Sequence, residues 1–595
     1  MSKEGSMATE GQSVERWCRQ FEEAQEQGKD ARELAERDRD YYDGHQLTDA
    51  EIQVLQQRGQ PPVVFNRIKP KIDSLLGFER KMRTDPKAFP RTPKHEQEAD
   101  SITDAIRYVL DDQRYSMKRS EVAENLFIEG AGAATVTAVH GREGMDVVIN
   151  HVPWDRFFYD PYSRMRDFGD ANYLGIVIWM DAEEAEARFG EKAADLVEST
   201  LDNRDWAGDT FDDRPSQTVW ADTKRKRVRV VQQYRKIGGK WHHAIYCRAG
   251  FLMEPQVSQY VDEDGNPDCP IIACSGYIDR ENNRYGVVRQ MVSPQDEINK
   301  RRSKALHYLN SRQVIAEDGA VPDIAAAKRE LAKPDGYVQV YPNMRFEVGD
   351  PIQMAAGDMQ LLTEAKAEID VSGVSPSLQG DLQAPSGRAV EALQQAGLAE
   401  MAVMFDSLRD WNWRVYRAVW NRIRQFWTAE RWIRVTDDER NLRWVGLNVP
   451  QLDEYGSQVG VQNPVGELDV DIVLYDAPDS VNIQSEQYEM LTEMWKAAPD
   501  RIPLEMVIEA STLRNKEKLI EAIKKPQVPP EMQQLQARGA QAEVAGKEAK
   551  AARDAAEAQK TQAETAQTQV ETERSAIEAQ MAAEFGQPVP LVGGV

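Results

Sequence analysis

The sequence has few cysteines and no long apolar runs. Only 4 of its 595 residues are cysteine, too few for a disulfide framework, which favours a reducing compartment. The longest strongly apolar runs, such as residues 173–180, are much shorter than the roughly 20 residues that cross a membrane. The first five residues, Met-Ser-Lys-Glu-Gly, lack the basic and apolar regions of a signal peptide. We therefore expect a soluble product of the cytosol that does not bind membranes.

Positive charge is also in short supply. The 74 basic residues are outnumbered by 99 acidic ones, which gives a formal net charge of −25 and an isoelectric point near 4.9. Proteins that bind nucleic acid tightly neutralise its phosphates with lysine and arginine, so this composition argues against tight binding. It does not exclude a protein that lets nucleic acid slide past.

Motifs of catalysis and metal binding are missing from the sequence. It contains no Walker-type phosphate loop, no HExxH, no GxSxG and no double CxxC. Cys269 and Cys274, with His242 and His243 nearby in sequence, do not have the spacing of zinc ligands. We therefore expect no metal site, no cofactor and no catalytic residue.

One pair of carboxylates keeps an enzymatic alternative open. Asp469 and Asp471 lie two residues apart on a predicted strand, hence on one face, where they could hold a divalent metal for phosphoryl transfer. The competing interpretation is an amphipathic strand whose apolar residues point inward while both aspartates are solvated. We favour the amphipathic strand because no third acid or basic partner stands out.

The periodicity of the first half predicts an α+β fold with a largely antiparallel sheet. Helices are predicted at residues 12–39, 48–60, 63–83, 96–113, 118–128 and 182–189. Strands are predicted at residues 133–140, 145–151, 173–180, 227–236 and 241–252, the last two as a hairpin around Gly238-Gly239. Residues 197–218 are polar and acidic and predict a surface loop.

Two helices flanking a small insert are predicted next. Ser293, Pro294 and Asp296 have the pattern of a helix start, and this helix should run to about Arg312. The insert, residues 313–350, is predicted as a strand at 313–317, a helix at 323–332 and a strand at 337–341. The second helix is predicted at residues 358–371.

The first of these helices carries a cluster of basic residues. Four cations fall within about one and a half turns, at Lys300, Arg301, Arg302 and Lys304. They could follow a phosphate backbone, or they could pair with acidic neighbours. In a single chain we favour pairing with acidic neighbours. If the helix lines a ring of copies, the cluster would form a band of positive charge.

A polar loop followed by a very long helix is the most unusual feature. Residues 373–387 are rich in Gly, Pro and Ser, whereas residues 388–427 contain no proline and only one glycine, Gly397. Apolar residues recur there at helical spacing, and forty residues would form a rod of roughly 60 Å. We assign its aromatic end to a protein core rather than to a base-stacking surface: Trp411, Trp413, Tyr416, Trp420, Phe426 and Trp427.

The last part of the chain changes character twice. Strands are predicted at residues 432–435, 442–448 and 468–475, followed by helices at 481–497 and 504–525. From Pro526 the composition is mostly Ala, Gln, Glu, Lys and Thr, so a lone helix would have almost nothing to bury. This tail is either disordered or a helix that packs only against copies of itself.

Several short motifs follow one another in a characteristic order. They are Arg37-Asp-Arg-Asp-Tyr-Tyr-Asp-Gly-His-Gln46, Gln60-Pro-Pro-Val-Val-Phe-Asn-Arg67, Leu76-Gly-Phe-Glu-Arg80, Val152-Pro-Trp-Asp155, Tyr159-Asp-Pro161, Gly286-Val-Val-Arg289, Gln295-Asp-Glu-Ile-Asn299, Pro385-Ser-Gly-Arg-Ala389 and Asp471-Ile-Val-Leu-Tyr-Asp-Ala-Pro478. Over roughly residues 30–525 the chain thereby resembles the portal proteins of tailed bacteriophages, in the group typical of short-tailed phages. His45-Gln46-Leu47 departs from the Gln-Trp expected there.

The resemblance implies a non-enzymatic ring of twelve subunits around a DNA channel at one capsid vertex. It implies a wing at residues 1–285 and 389–503, stem helices at 286–312 and 354–371, a clip at 313–353, a tunnel loop at 372–388, a crown at 504–529 and a helical-barrel or disordered tail at 530–595. In the tunnel loop the residues expected to line the channel are Ser375, Ser377, Gln379, Asp381, Gln383 and Arg388. In the stem they are the basic band of Lys300, Arg301, Arg302 and Lys304.

The resemblance also implies the partners and the location. The partners would be further copies of the chain, double-stranded DNA in transit, the terminase large subunit, head-tail adaptor and tail proteins, and the major capsid and scaffolding proteins. The protein would be assembled in the host cytoplasm and end in the virion. Two alternatives remain. One is a metal-dependent phosphotransferase or nuclease that uses Asp469 and Asp471, and the other is a scaffold or adaptor that oligomerises through a helix at residues 530–585.

Overall fold

The computed structural model describes most of the chain. The described residues are 13–81, 85–90, 96–141, 144–208, 219–310, 314–331, 333, 335–348, 351–372, 397, 399–436, 442–452, 458–466, 470–475, 490–492, 494–496, 503–509, 553, 556, 560–561 and 570–577. The chain divides into two compact units, Met1–Ser480 and Val481–Val595. No helix in the described parts is long and apolar enough to cross a membrane.

The first unit contains both helices and strands, which confirms the α+β class. Its described helices are α1 (Val14–Gln27), α2 (Lys29–Asp43), α3 (Asp49–Gln57), α4 (Ile68–Lys81), α5 (Glu96–Asp112), α6 (Tyr115–Ile128), α7 (Ala182–Phe189), α8 (Glu191–Asp202), α9 (Val288–Asn310), α10 (Ile324–Leu331), α11 (Pro351–Ser372) and α12 (Ala402–Phe426). In the second unit, α13 (Leu504–Glu509) lies within the predicted helix 504–525.

The described strands all belong to the first unit. They are β1 (Asp85–Pro90), β2 (Ala131–Gly141), β3 (Gly144–Val152), β4 (Phe157–Tyr159), β5 (Tyr173–Met180), β6 (Ala207–Gly208), β7 (Ala221–Asp222), β8 (Arg227–Ile237), β9 (Lys240–Tyr246), β10 (Phe251–Val257), β11 (Ile271–Ser275), β12 (Tyr277–Ile278), β13 (Arg284–Tyr285), β14 (Val314–Ala316), β15 (Phe346–Val348), β16 (Arg431–Thr436), β17 (Leu442–Leu447), β18 (Val449–Leu452), β19 (Gln458–Gln462) and β20 (Val470–Tyr475). Apart from the short parallel pair β6–β7, the ladders are antiparallel, as expected.

Two sheets form the middle layers of this unit. One has the order β10-β9-β8-β5-β4 and the other the order β11-β2-β3. Alternate residues of β2 point to opposite sides: Ala133 packs towards the larger sheet, whereas Ala134 and Val136 pack towards the helices. The layers are therefore α1, the larger sheet, the smaller sheet and a helical layer that includes α4, α5, α6, α9 and α12.

Helix α12 lies against the smaller sheet, and five of the six aromatic residues at its end belong to the core as predicted, whereas Trp413 is only half-buried. Trp411, Tyr416, Trp420 and Trp427 are buried, and Phe426 packs against the same core. The indole Nε1 of Trp411 donates to the Ile272 carbonyl oxygen over 2.9 Å. Met401 has a non-helical conformation and separates α12, which begins at Ala402, from the helical residues 399 and 400. The prediction of one unbroken helix over residues 388–427 is therefore wrong at Met401.

Three other predictions are wrong where tertiary packing overrides local signals. The helix predicted at 12–39 is divided at Gly28 into α1 and α2. The predicted loop at 197–218 begins inside α8, because Val197 and Thr200 are buried and give this acidic segment an apolar face. The strand predicted at 241–252 is two strands, β9 and β10, that pair with each other.

The start of α9 also differs from the prediction. Ser293 and Pro294 do not begin this helix, since α9 starts at Val288 and encloses Pro294. A proline inside a helix removes one backbone hydrogen bond and is unfavourable. Val288, Met291 and Val292 are buried in the main core, and this burial stabilises the helical turns that precede the proline.

Candidate functional site: a helix pair beside a small insert

The candidate site is built on two helices that pack along each other, α9 and α11. Strands β14 and β15 follow α9 and precede α11, and they pair antiparallel with Val314 opposite Val348. Because this ladder brings the end of α9 beside the start of α11, the two helices run antiparallel. Leu362, Ala365 and Ile369 of α11 are buried at helical spacing in the main core.

A polar ladder along α9 holds an extended segment, residues 59–67. The Gln295 amide exchanges two hydrogen bonds with backbone groups of this segment, accepting from the Arg67 N–H over 3.0 Å and donating to the Phe65 carbonyl over 2.9 Å. Asn299 Oδ1 accepts from the Phe65 N–H over 3.0 Å.

The same ladder continues towards the other end of α9. Ser303 Oγ donates to the Pro61 carbonyl over 2.6 Å, and His307 Nδ1 donates to the Gly59 carbonyl over 2.9 Å. Residues 295, 299, 303 and 307 are four apart, so they form one stripe on the helix. This stripe satisfies backbone groups of a segment that has no secondary structure of its own.

Ionised and polar side chains connect α9 to α2 as well. Arg289 Nε lies 3.1 Å from Asp38 Oδ2, and the Tyr41 hydroxyl donates to Asp296 Oδ1 over 2.5 Å. Burial raises the pKa of Asp38, and the guanidinium groups of Arg289 and Arg37 oppose that rise. On the other helix of the pair, Asp370 lies 2.8 Å from the buried Lys71 ammonium of α4. Charged contacts thus fix both helices to the N-terminal helices.

The basic band of α9 is engaged within the chain. Lys300 Nζ lies 3.8 Å from Asp296, Arg301 pairs with Glu297, and the Arg302 guanidinium lies 4.4 Å from the centre of the Phe65 ring. Lys304 is half-buried. Two carboxylates of the same helix therefore offset half of the band's four charges, and this matches the interpretation in which the cations pair with acidic neighbours.

The insert between the helices contains less helix and strand than predicted. β14 and α10 lie where a strand and a helix were expected, but residues 337–341 form no strand. The Tyr341 N–H donates to the Ala320 carbonyl instead, and β15 is the strand that pairs with β14. In the described part of the insert, six large apolar side chains are exposed by 43 to 79%: Ile315, Ile324, Tyr337, Tyr341, Met344 and Val348.

Several predicted site residues lie outside the described residues. They are Ser375, Ser377, Gln379, Asp381, Gln383 and Arg388 of the expected tunnel loop, together with Asp469. The backbone of Asp471 is described, and it lies opposite Phe89 in the β1–β20 ladder.

The cysteines and histidines considered as metal ligands take other roles. All four cysteines are buried and reduced, and burial raises the pKa of the Cys18 and Cys274 thiols to about 12. The His243 ring stacks on Tyr234 with 4.4 Å between ring centres. No group of three or more candidate metal ligands occurs within the described residues.

The polar ladder of α9 is not among the features predicted from the sequence. Its signal was present, because Gln295, Asn299, Ser303 and His307 recur every four residues. A polar stripe on a helix is usually solvated, however, and nothing local to α9 indicates that a segment more than 200 residues earlier would cover it.

Comparison with known proteins agrees with the resemblance. Residues 18–575 match the family described as "Phage P22-like portal protein". The chain is also 20% identical, over 474 residues, to a portal protein of Helicobacter pylori bacteriophage KHP30, and this match covers 78% of the chain and 74% of that protein. The family match spans most of the sequence. The chain therefore belongs to the P22-like portal protein family of bacteriophages.

Proposed function

We propose that this chain forms a ring of twelve copies around a channel through which double-stranded DNA is packaged and later ejected. Portal proteins are structural proteins of the phage virion and not enzymes. The alternative of a metal-dependent nuclease at Asp469 and Asp471 is therefore set aside.

The observation that carries this proposal is the antiparallel pair α9–α11 with a small insert at one of its ends. We assign residues 286–312, which include α9, and residues 354–371 of α11 to the stem, residues 313–353 to the clip and residues 372–388 to the tunnel loop. The two sheets, the N-terminal helices and α12 then form the wing. Residues 504–529 are assigned to the crown and residues 530–595 to the tail that follows it.

The charges of the stem suit a channel that DNA must traverse in both directions. Each phosphate neutralised by a protein cation adds to affinity, so a strongly basic wall would hold DNA in place. The pairing of Lys300 with Asp296 and of Arg301 with Glu297 lowers the positive charge that α9 offers to phosphates. In a chain of net charge −25, this favours DNA that stays mobile.

The exposed apolar side chains of the insert support its role as a docking region. Clusters of exposed apolar residues usually mark protein interfaces. In the clip they would contact neighbouring subunits, the terminase large subunit during packaging, and head-tail adaptor or tail proteins afterwards. The major capsid and scaffolding proteins would contact the ring during assembly in the host cytoplasm.

Two measurements test this proposal. Light scattering after size-exclusion chromatography, with electron microscopy, should give closed rings of about twelve subunits, and a monomer would contradict the proposal.

Deleting Leu378 to Gln383 should leave the rings intact while the yield of packaged DNA falls. A variant that replaces these six residues with glycine and serine is the control for loop length. Normal packaging by the deletion variant would remove the assigned role of the loop.

The alternative of a scaffold that assembles through residues 530–585 makes the opposite prediction for a truncated chain. If the wing and stem carry the subunit contacts, a chain that ends at residue 529 still forms rings. Loss of all assembly on that truncation would favour the scaffold.

A further inference from the structure

Two tryptophans lie exposed on one small antiparallel ladder. Trp432 of β16 and Trp444 of β17 are 52% and 63% exposed. Trp432 lies opposite Gly446, and Trp444 lies opposite Arg434. Because these four residues alternate with inward-pointing ones, they share the outer face of the ladder. Tryptophan is strongly buried on average, so two exposed neighbours require an explanation.

The other face of the same ladder is part of the main core. Ile433, Val445 and Leu447 are buried there, with exposures of 1%, 8% and 1%. The outer face is therefore displayed by a ladder that the core holds firmly in place.

The tryptophan face is also ordered by its own contacts. Trp432 Nε1 donates to Glu430 Oε1 over 2.9 Å, which orients the indole. A Cβ atom at Gly446 would lie only 3.0 Å from the Trp432 ring, so the glycine lets this ring lie against the ladder. A binding face that is ordered before it meets its partner loses less conformational entropy on association.

Two asparagines fix the ladder to its surroundings. Asn448, with φ at 53°, donates from Nδ2 to the carbonyls of Trp427 and Ala429 over 2.8 and 3.2 Å. Asn463, with φ at 50°, donates from Nδ2 to the Gly446 carbonyl over 2.8 Å. Both accept left-handed backbone conformations that most residues disfavour. The turn region after β17 is thereby tied to the end of α12.

We propose that the outer face of β16–β17, formed by Trp432, Arg434 and Trp444, is an interface with a neighbouring copy of this chain. Tryptophan and arginine are the residues that most often dominate the energy of protein interfaces. A second copy carries a net charge of −25, so its surface is acidic on average and complements the exposed Arg434 cation. This inference rests on the proposed ring.

Oxidative footprinting with mass spectrometry tests the interface without changing the sequence. The full-length chain is labelled by hydroxyl radicals as a dilute monomer and as the assembled particle. Trp432 and Trp444 should be labelled at least about fivefold less in the particle. Equal labelling in both states would overturn the proposal. If the wild-type chain never assembles, the ring itself fails, and this outcome is distinct from a ring with unprotected tryptophans.

Substitution gives an independent test. The double variant Trp432→Ser and Trp444→Ser should raise the concentration at half-assembly by at least about tenfold, as expected for interface residues of this kind. The control Tyr162→Ser removes an aromatic side chain that is 70% exposed elsewhere in the chain. An equal shift in both variants would overturn the proposal, because assembly would then follow exposed aromatic area in general. Unchanged assembly with reduced incorporation into capsids would also overturn it and would identify a capsid protein as the partner.

Discussion

Asn299 and Gln46 are 253 residues apart in sequence, and the Nδ2 group of Asn299 donates to Oε1 of Gln46 over 2.7 Å. Both side chains are almost fully buried, with exposures of 2% and 3%. Asn299 also accepts from the Phe65 N–H and from Gln295 Nε2 through Oδ1. One amide of α9 thus joins the residues just after α2, the extended segment and its own helix.

Replacing Asn299 should destabilise the folded chain. In Asn299→Ala, the N–H of Phe65 and the amides of Gln46 and Gln295 each lose a partner inside the protein. The Gln295 amide keeps its bond to the Phe65 carbonyl, so two buried groups are left without a partner. At about 1–3 kcal/mol each, we expect a total loss of about 2–6 kcal/mol in the free energy of unfolding. Urea denaturation followed by circular dichroism measures it. Lys300→Ala, on the exposed side of the same helix, is the control and should change stability by less than about 0.5 kcal/mol.

The hydrogen bond from Trp411 to Ile272 gives a second prediction. Trp411→Phe keeps an aromatic ring in the core but leaves the Ile272 carbonyl without its donor and reduces the stacking on Tyr115. We expect a loss of about 1–3 kcal/mol. Trp413→Phe on the same helix is the control, since Trp413 is only half-buried and is not part of the core. Equal losses in the two variants would show that the hydrogen bond contributes little.

His243 should make stability depend on pH below neutrality. Burial lowers the pKa of His243 to about 4, against about 6.5 in an unfolded chain. Its Nε2 accepts from the Gln232 amide, so the folded protein holds the ring neutral. Between pH 4 and 6.5 the unfolded chain therefore binds a proton that the folded chain does not. The contribution of His243 to the free energy of unfolding is complete above pH 6.5 and falls as the pH drops towards 4, by at most about 3 kcal/mol.

Unfolding curves at a series of pH values between 4 and 8 measure this dependence. His243→Phe removes the titrating group and should flatten the slope of stability against pH between 4 and 6.5. His242→Gln changes the neighbouring histidine, whose side chain lies on the opposite face of β9, and should leave the slope as in the wild type. A wild-type slope in the His243 variant would assign the pH dependence to other groups.

The cysteines should be unreactive in the native protein. All four are buried, and burial raises the pKa of Cys18, Cys269 and Cys274, so few thiolates are available at pH 8. A chromogenic disulfide reagent should modify none of them within minutes, whereas four thiols should react in denaturant. Fast labelling of the native chain would show that one of these sites opens readily.

The elements predicted well are those with complete local signals. The predicted bounds of α7 match the observed ones, since Asp181 is a favourable N-cap residue directly before the helix. In the structure its side chain accepts a hydrogen bond from the Glu184 N–H. The β8–β9 hairpin was predicted from Gly238 and Gly239, whose positive φ angles of 58° and 79° suit its turn. The errors at α8 and α9 arose where contacts from distant parts of the chain outweigh local preference.

The candidate site was predictable only in part. The four cations of α9 were found from the sequence, but the position of Arg302 over Phe65 joins residues 237 positions apart and has no local signal. The tryptophans of β16 and β17 lie within the predicted strands 432–435 and 442–448, yet alternation alone does not show which face meets solvent. Exposure of these side chains is a property of the packed molecule.

The polar ladder of α9 has a consequence for synthesis on the ribosome. Ser303 binds the Pro61 carbonyl 242 residues earlier in the chain. At 5–20 residues per second, Pro61 would leave the ribosome roughly 12–50 s before its partner exists. During that interval residues 59–67 lack the α9 side chains that hold them in the folded protein. Premature association of nascent chains through this segment is thus a hazard that chaperone binding would reduce.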